Sequence, residues 1–88
     1  MTTVTEQTLL EIVDVAQVGG RLLVATRLLR GEPAAGMILV SGENGTRWCI
    51  RGLAFVSAES YQAGMRGLTL EPLDDGGTLR VGEALRSG

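Results

Sequence analysis

No apolar stretch in this chain runs far before glycine interrupts it, and that punctuation limits the fold more than any other feature. Thirteen of the 88 residues are glycine, about twice ordinary usage, and most fall between apolar runs. The runs are Thr8 to Val15, Arg21 to Arg30, Gly36 to Val40, Thr46 to Ser57, Met65 to Glu71, and a short one around Glu83 to Leu85. Between them stand Gly19-Gly20, Gly31 with Pro33 behind it, and Ser41-Gly42-Glu43-Asn44-Gly45. Good helix formers fill the second run, so propensity alone is ambiguous there. Short runs bounded by turn residues suit strands better than helices.

Alternation supports strands. In the fifth run Met65, Gly67, Thr69 and Glu71 share one face, and Arg66, Leu68 and Leu70 share the other. In the second run Leu22, Val24, Thr26 and Leu28 oppose Leu23, Ala25, Arg27 and Leu29. Both of those faces are partly apolar, which implies a closed or covered sheet. The fourth run breaks its alternation at Arg51-Gly52, between Trp48 and Ile50 on one side and Leu53 and Phe55 on the other. A glycine there predicts a bulge, which bends a strand as small barrels require. Ala58 to Gly64 is the one stretch suited to a helical turn or a loop. The expected fold is all-β: a small closed antiparallel barrel of six or seven strands.

One domain accounts for residues 1–88, with 1–7 expected to be a flexible N-terminus. The start at Met1 favours a stand-alone chain over an excised domain. Histidine and lysine are both absent, and the eight basic residues are all arginine, which fits a GC-rich coding sequence. Without histidine the chain holds no Ser-His-Asp or Cys-His arrangement and no histidine zinc site. Without lysine it holds no phosphate-binding loop of the GxxxxGK type and no Schiff-base lysine. A single cysteine, Cys49, excludes an internal disulfide and a CxxC motif. Glu11, Asp14, Glu71 and Tyr61 are the acid–base groups on offer, and no spacing pairs them. The expectation is a protein that is not an enzyme and carries no cofactor or metal.

No run of about 18 apolar residues could form a membrane-spanning helix, and Met1 to Glu6 lacks a basic signal-peptide start. A soluble, cytoplasmic protein is expected. Ten acidic residues against eight basic give a net charge of −2, so bulk charge advertises neither nucleic acid nor an anionic membrane. Mean hydropathy is +0.20, too high for a disordered acidic tail.

The residues also carry a resemblance. Val13-Asp-Val15 followed by Gly19-Gly-Arg-Leu-Leu-Val-Ala-Thr-Arg-Leu-Leu-Arg-Gly31 looks like the opening of domain 2 of translational GTPases such as elongation factor Tu. Ala35-Gly36-Met-Ile-Leu39, Cys49-Ile-Arg-Gly-Leu53, Ala63-Gly64-Met-Arg-Gly-Leu-Thr-Leu70 and Leu79-Arg-Val-Gly-Glu-Ala-Leu85 resemble later elements of that domain in the same order. The likeness covers roughly residues 9–86. Thr26 stands where the family usually has glycine. What the resemblance implies is a barrel with a binding habit and no GTPase activity, since no GTP-binding domain fits in the chain. The family's domain 2 contacts the ribosome or the aminoacyl end of transfer RNA, and no contact residue matches here.

Several features have two readings. Asn44-Gly45-Thr46 fits both an N-glycosylation acceptor and a hairpin turn, and the turn is preferred. Asp74-Asp75-Gly76-Gly77 reads as a solvated turn, since it lacks the alternating ligands of a calcium loop. Cys49 reads as a small buried hydrophobe, although Arg47 and Arg51 share its strand face. Arg21, Arg27, Arg30, Arg47, Arg51 and Arg66 lie in or beside the expected strands. If they converge they suit phosphates; otherwise they protect edges and pair with acids, which the charge balance and scarce aromatics favour. Trp48 is either an interface anchor or core. The candidate partner-binding residues are therefore Arg27, Arg47, Trp48, Arg51 and Arg66. A protein partner is the leading expectation, with RNA or the ribosome, or self-association into a homo-oligomer, as alternatives.

Overall fold

The computed structural model describes residues 7–74 and 77–87. Six strands, β1 (Leu9–Val18), β2 (Arg21–Arg30), β3 (Ile38–Ser41), β4 (Arg47–Ala54), β5 (Met65–Pro72) and β6 (Ala84–Ser87), close into a barrel in the order β1-β2-β5-β4-β3-β6. Every neighbouring pair is antiparallel. One short helix, α1 (Ala58–Gln62), joins β4 to β5. The expected all-β barrel is the observed one, and the strand number is six.

Glycine makes the tight connections. Gly19-Gly20 alone links Val18 to its partner Arg21, with Gly19 at φ 62°, the left-handed geometry that a two-residue hairpin needs at its first position. The Asn-Gly turn joins β3 to β4, with Gly45 at φ 71°. There Asn44 Oδ1 accepts from Thr46 N at 3.0 Å and from Thr46 Oγ1 at 2.7 Å. The same Thr46 hydroxyl accepts from Trp48 Nε1 at 3.0 Å, so the hairpin also satisfies the polar tip of the indole.

Leu10, Ile12, Val24, Leu39, Trp48, Ile50, Leu68, Leu70 and Leu85 fill the barrel, and Leu79 from the β5–β6 connection joins them. Burying each such side chain stabilises the fold by about 1.5–3 kcal/mol before entropy is counted. The alternation expected for β2 and β5 holds: Val24, Thr26, Leu68 and Leu70 point inward and are buried. Thr26 is fully buried and donates its hydroxyl to the Arg66 carbonyl at 2.9 Å. The outer face of β2 is a different matter, since Leu23 and Leu29 stay exposed.

The bulge expected at Arg51-Gly52 is present, as β4 slips against β5 between Ile50 and Gly52. Two more slips interrupt β1 against β2, at Leu29 and at Val13. Glu83 is a buried carboxylate beside β6. It accepts from the Ser41 hydroxyl and from Arg80 N at 2.9 Å, and so ties β3, the final loop and β6 together. Of the stretch expected to be flexible, residues 1–6 lie outside the described residues. Gln7 is tied down, its side-chain amide donating to the Ser87 carbonyl at 2.7 Å.

Candidate functional site

The candidate arginines do not converge. They sit on β2, on β4 and at the start of β5, and Arg66 shares its strand face with the inward Leu68 and Leu70. Each is instead tied to its own carboxylate. Arg27 lies 3.6 Å from Glu11 on β1, Arg47 lies 3.0 Å from Asp74, Arg51 pairs with Glu71, and Arg66 lies 2.7 Å from Glu32. Asp74 also accepts from the Arg47 backbone N–H at 2.8 Å. The Arg47 side chain first, and this N–H second, hold the Asp74 carboxyl below its ordinary range.

Two of the five candidates, Trp48 and Arg66, offer little exposed side chain. Trp48 is buried on the inward face of β4, near the end of the strand where it pairs with Pro72, and it walls a cleft of about 370 Å³ with Leu22 and Leu79. The Arg66 side chain is only 12% exposed. It uses Nε and Nη2 on Glu32, and Nη1 on the carbonyls of Tyr61 and Met65 at 3.0 and 2.8 Å. Its remaining face lies 3.7 Å from the centroid of the Tyr61 ring. Arg66 is thus a clasp between α1, β5 and the β2–β3 connection, with little left for an incoming anion.

The other candidates resolve similarly. Cys49 is buried, as expected for a small hydrophobe. Glu11 and Glu71 belong to ion pairs, and Asp14 Oδ1 accepts from Val15 N at 2.9 Å. Tyr61 lies under Arg66, so the acid–base groups named from the sequence are dispersed. Asp74 is an ion-pair partner, while its neighbours Asp75 and Gly76 lie outside the described residues. Among the described residues no group of three or more acidic or cysteine side chains is placed to hold a metal ion, and no helix is long and apolar enough to cross a membrane.

What the structure does assemble is an apolar surface around Phe55, a residue 95% exposed. Leu53 shares the inward side of the wall with its partner Leu68. It nevertheless sits beyond Cys49, the last β4 residue paired with β3, and is 56% exposed. β4 therefore outruns the wall that would have covered its apolar residues. Ser57 then ends the extended segment by accepting from Ser60 N at 3.1 Å, which starts α1.

Two clefts flank Phe55 and Val56. The larger, about 450 Å³, lies toward Ala58 and Tyr61 of the α1 segment and has Leu53 and Glu32 on its walls. The smaller, about 210 Å³, lies toward Ala16 and Leu23 of the β1–β2 hairpin and has Asp14 at its edge. Ala54 and Gly67 line both. A Cβ on Gly67 would stand 2.9 Å from that of Ala54, so only glycine lets β4 and β5 lie this close here.

Sequence reasoning placed Leu53 and Phe55 in a strand and missed their exposure. The available signal was the short third run, too short to cover a fourth run of twelve residues. No protein-family model, curated protein or solved structure matches the chain.

Proposed function

We propose that this chain is a non-catalytic, cytoplasmic binding module that docks a protein partner on the apolar surface around Phe55. The observation that carries the reading is the exposure of Phe55 between two clefts lined by aliphatic side chains. Burying one phenylalanine is worth about 1.5–3 kcal/mol, a stabilisation the isolated fold forgoes and a complex recovers. Aromatic residues beside pockets are the usual anchors of protein interfaces. The pairing of Arg27, Arg47, Arg51 and Arg66 with carboxylates favours a protein over RNA at these four positions, because phosphate contacts need cations that are not already neutralised.

Affinity capture from the source cells, with wild type and Phe55→Ala and with and without nuclease, tests this. A nuclease-resistant protein partner lost in Phe55→Ala is expected. Partners that vanish with nuclease, or that ignore the substitution, would overturn the reading in favour of RNA or of another surface.

A further inference from the structure

We propose that the cleft walled by Trp48, Leu22 and Leu79 binds a small carboxylic acid with an apolar body, its carboxylate held by Arg21. The cleft shares no residue with those around Phe55, so the inference stands apart from the docking reading.

Shape is the first support. Trp48 pairs with Pro72 at the end of the β4–β5 ladder, while β1 and β2 run on to their turn at Gly19-Gly20. Val15 and Gln17 pair with Val24 and Leu22 on the inward face of that hairpin. Gly77, Thr78 and Leu79 of the β5–β6 connection supply another wall. A Cβ on Gly77 would stand 3.1 Å from Trp48 Cζ2, so glycine lets the connection lie against the indole. The hollow left between these parts measures about 370 Å³, within the range of about 300–1,000 Å³ that holds small molecules. Trp48 Nε1 already donates to Thr46 Oγ1 at 3.0 Å, and the ring makes no polar demand on a ligand.

Charge is the second support. Arg21 is the one charged residue on these walls among the described residues. It also lines the neighbouring cleft of about 290 Å³ with Val18, Leu23 and Thr69, again as the one charge. Arg21 is exposed and has no carboxylate within 4 Å among the described residues. Arg27, Arg47, Arg51 and Arg66 each hold one already. A guanidinium fork matches a carboxylate in geometry, and one cation balances one negative charge. A phosphate monoester, at about −1.5 to −2, would exceed it. Gln17 and Thr78 add side-chain donors at the rim. An apolar hollow with a single unbalanced positive charge at its lip is complementary to an apolar monocarboxylate.

Titration of nitrogen-labelled protein with hexanoate, hexanol and hexylamine, followed by amide shifts, tests this. Hexanoate is expected to move the amides of Leu22, Thr78 and Leu79 and the indole N–H of Trp48. Hexanol should bind about tenfold more weakly, for want of the charged contact, and hexylamine more weakly still. From butanoate to hexanoate, affinity should rise about fourfold per methylene. Arg21→Gln should bring hexanoate down to the level of hexanol, Arg21→Lys should restore part of the preference, and Phe55→Ala should bind as wild type does. Equal binding of hexanoate and hexylamine by the wild type would overturn the proposal. So would an affinity indifferent to Arg21→Gln, or shifts confined to other residues, and neither result bears on capture at Phe55. A leucine-ended tripeptide that binds more tightly than hexanoate, and is lost when its terminus is amidated, would assign the cleft to the end of another chain and overturn a free acid as its occupant.

Discussion

The guanidinium of Arg66 stacks 3.7 Å from the centroid of the Tyr61 ring while gripping Glu32 with two nitrogens. One side chain thereby holds α1 and the β2–β3 connection against β5. A lysine cannot reproduce the forked contact or the flat stacking. Arg66→Lys is expected to lower unfolding stability by about 1 kcal/mol and Arg66→Ala by about 2, allowing for the exposure of Glu32. Urea unfolding measures the loss, and amide exchange in Ala58–Gln62 should accelerate in both variants. Unchanged exchange in α1 would show that the helix is held by something else.

Gly67 governs how closely β4 approaches β5. An added methyl would stand 2.9 Å from the Ala54 side chain and 3.1 Å from its carbonyl oxygen, and neither atom belongs to a flexible side chain. Gly67→Ala is expected to cost about 1–3 kcal/mol by overpacking, read as a lower urea midpoint at an unchanged slope. The displacement falls on Ala54, next to Phe55, so partner capture should weaken as well. A midpoint equal to wild type would mean that the strands separate without cost.

How much of this was legible beforehand depends on the residue. Glycine spacing and the alternation of Val24, Thr26, Leu68 and Leu70 sufficed for the barrel, because a period of two reports directly on which face is inside. The slip at Arg51 was readable from one glycine inside a strand pattern. Trp48 and Phe55 were not, since both are aromatic and lie on the same run, while Trp48 is paired by β3 and β5 and Phe55 lies past the last partner of either. Nor could spacing show that Arg66 is consumed by Glu32, thirty-four residues away. Long-range pairing is a property of the closed wall, and a local pattern carries no record of it.

Acid should test the Arg47–Asp74 pair. The Arg47 side chain, followed by its backbone N–H, keeps the folded carboxyl below its ordinary value of 3.8. A depressed carboxyl contributes stability that is complete above the unfolded value, and loses it as pH falls through the folded one. Wild type should therefore lose melting temperature more steeply than Asp74→Asn as pH falls below about 4. Melting curves followed by Trp48 fluorescence, which reports on the buried indole, provide the comparison. Parallel curves would show that the pair adds nothing to folding.

The open edge of β1 carries a guard. β1 pairs with β6 only through Glu11, after which Ile12 still bonds Glu83 and Gly82, and Asp14 to Val18 run on with β2 alone. Asp14 Oδ1 occupies the Val15 N–H at 2.9 Å, the kind of group an added strand would use. Its charge also opposes the approach of another copy's Asp14. Asp14→Ala removes both effects and is expected to raise self-association, whereas Asp14→Asn keeps an acceptor, loses the charge and should fall between. Sedimentation across a concentration series separates the three proteins. If Asp14→Ala stays as dispersed as wild type at every concentration, the protection of this edge lies in the twist of the hairpin and not in its carboxylate.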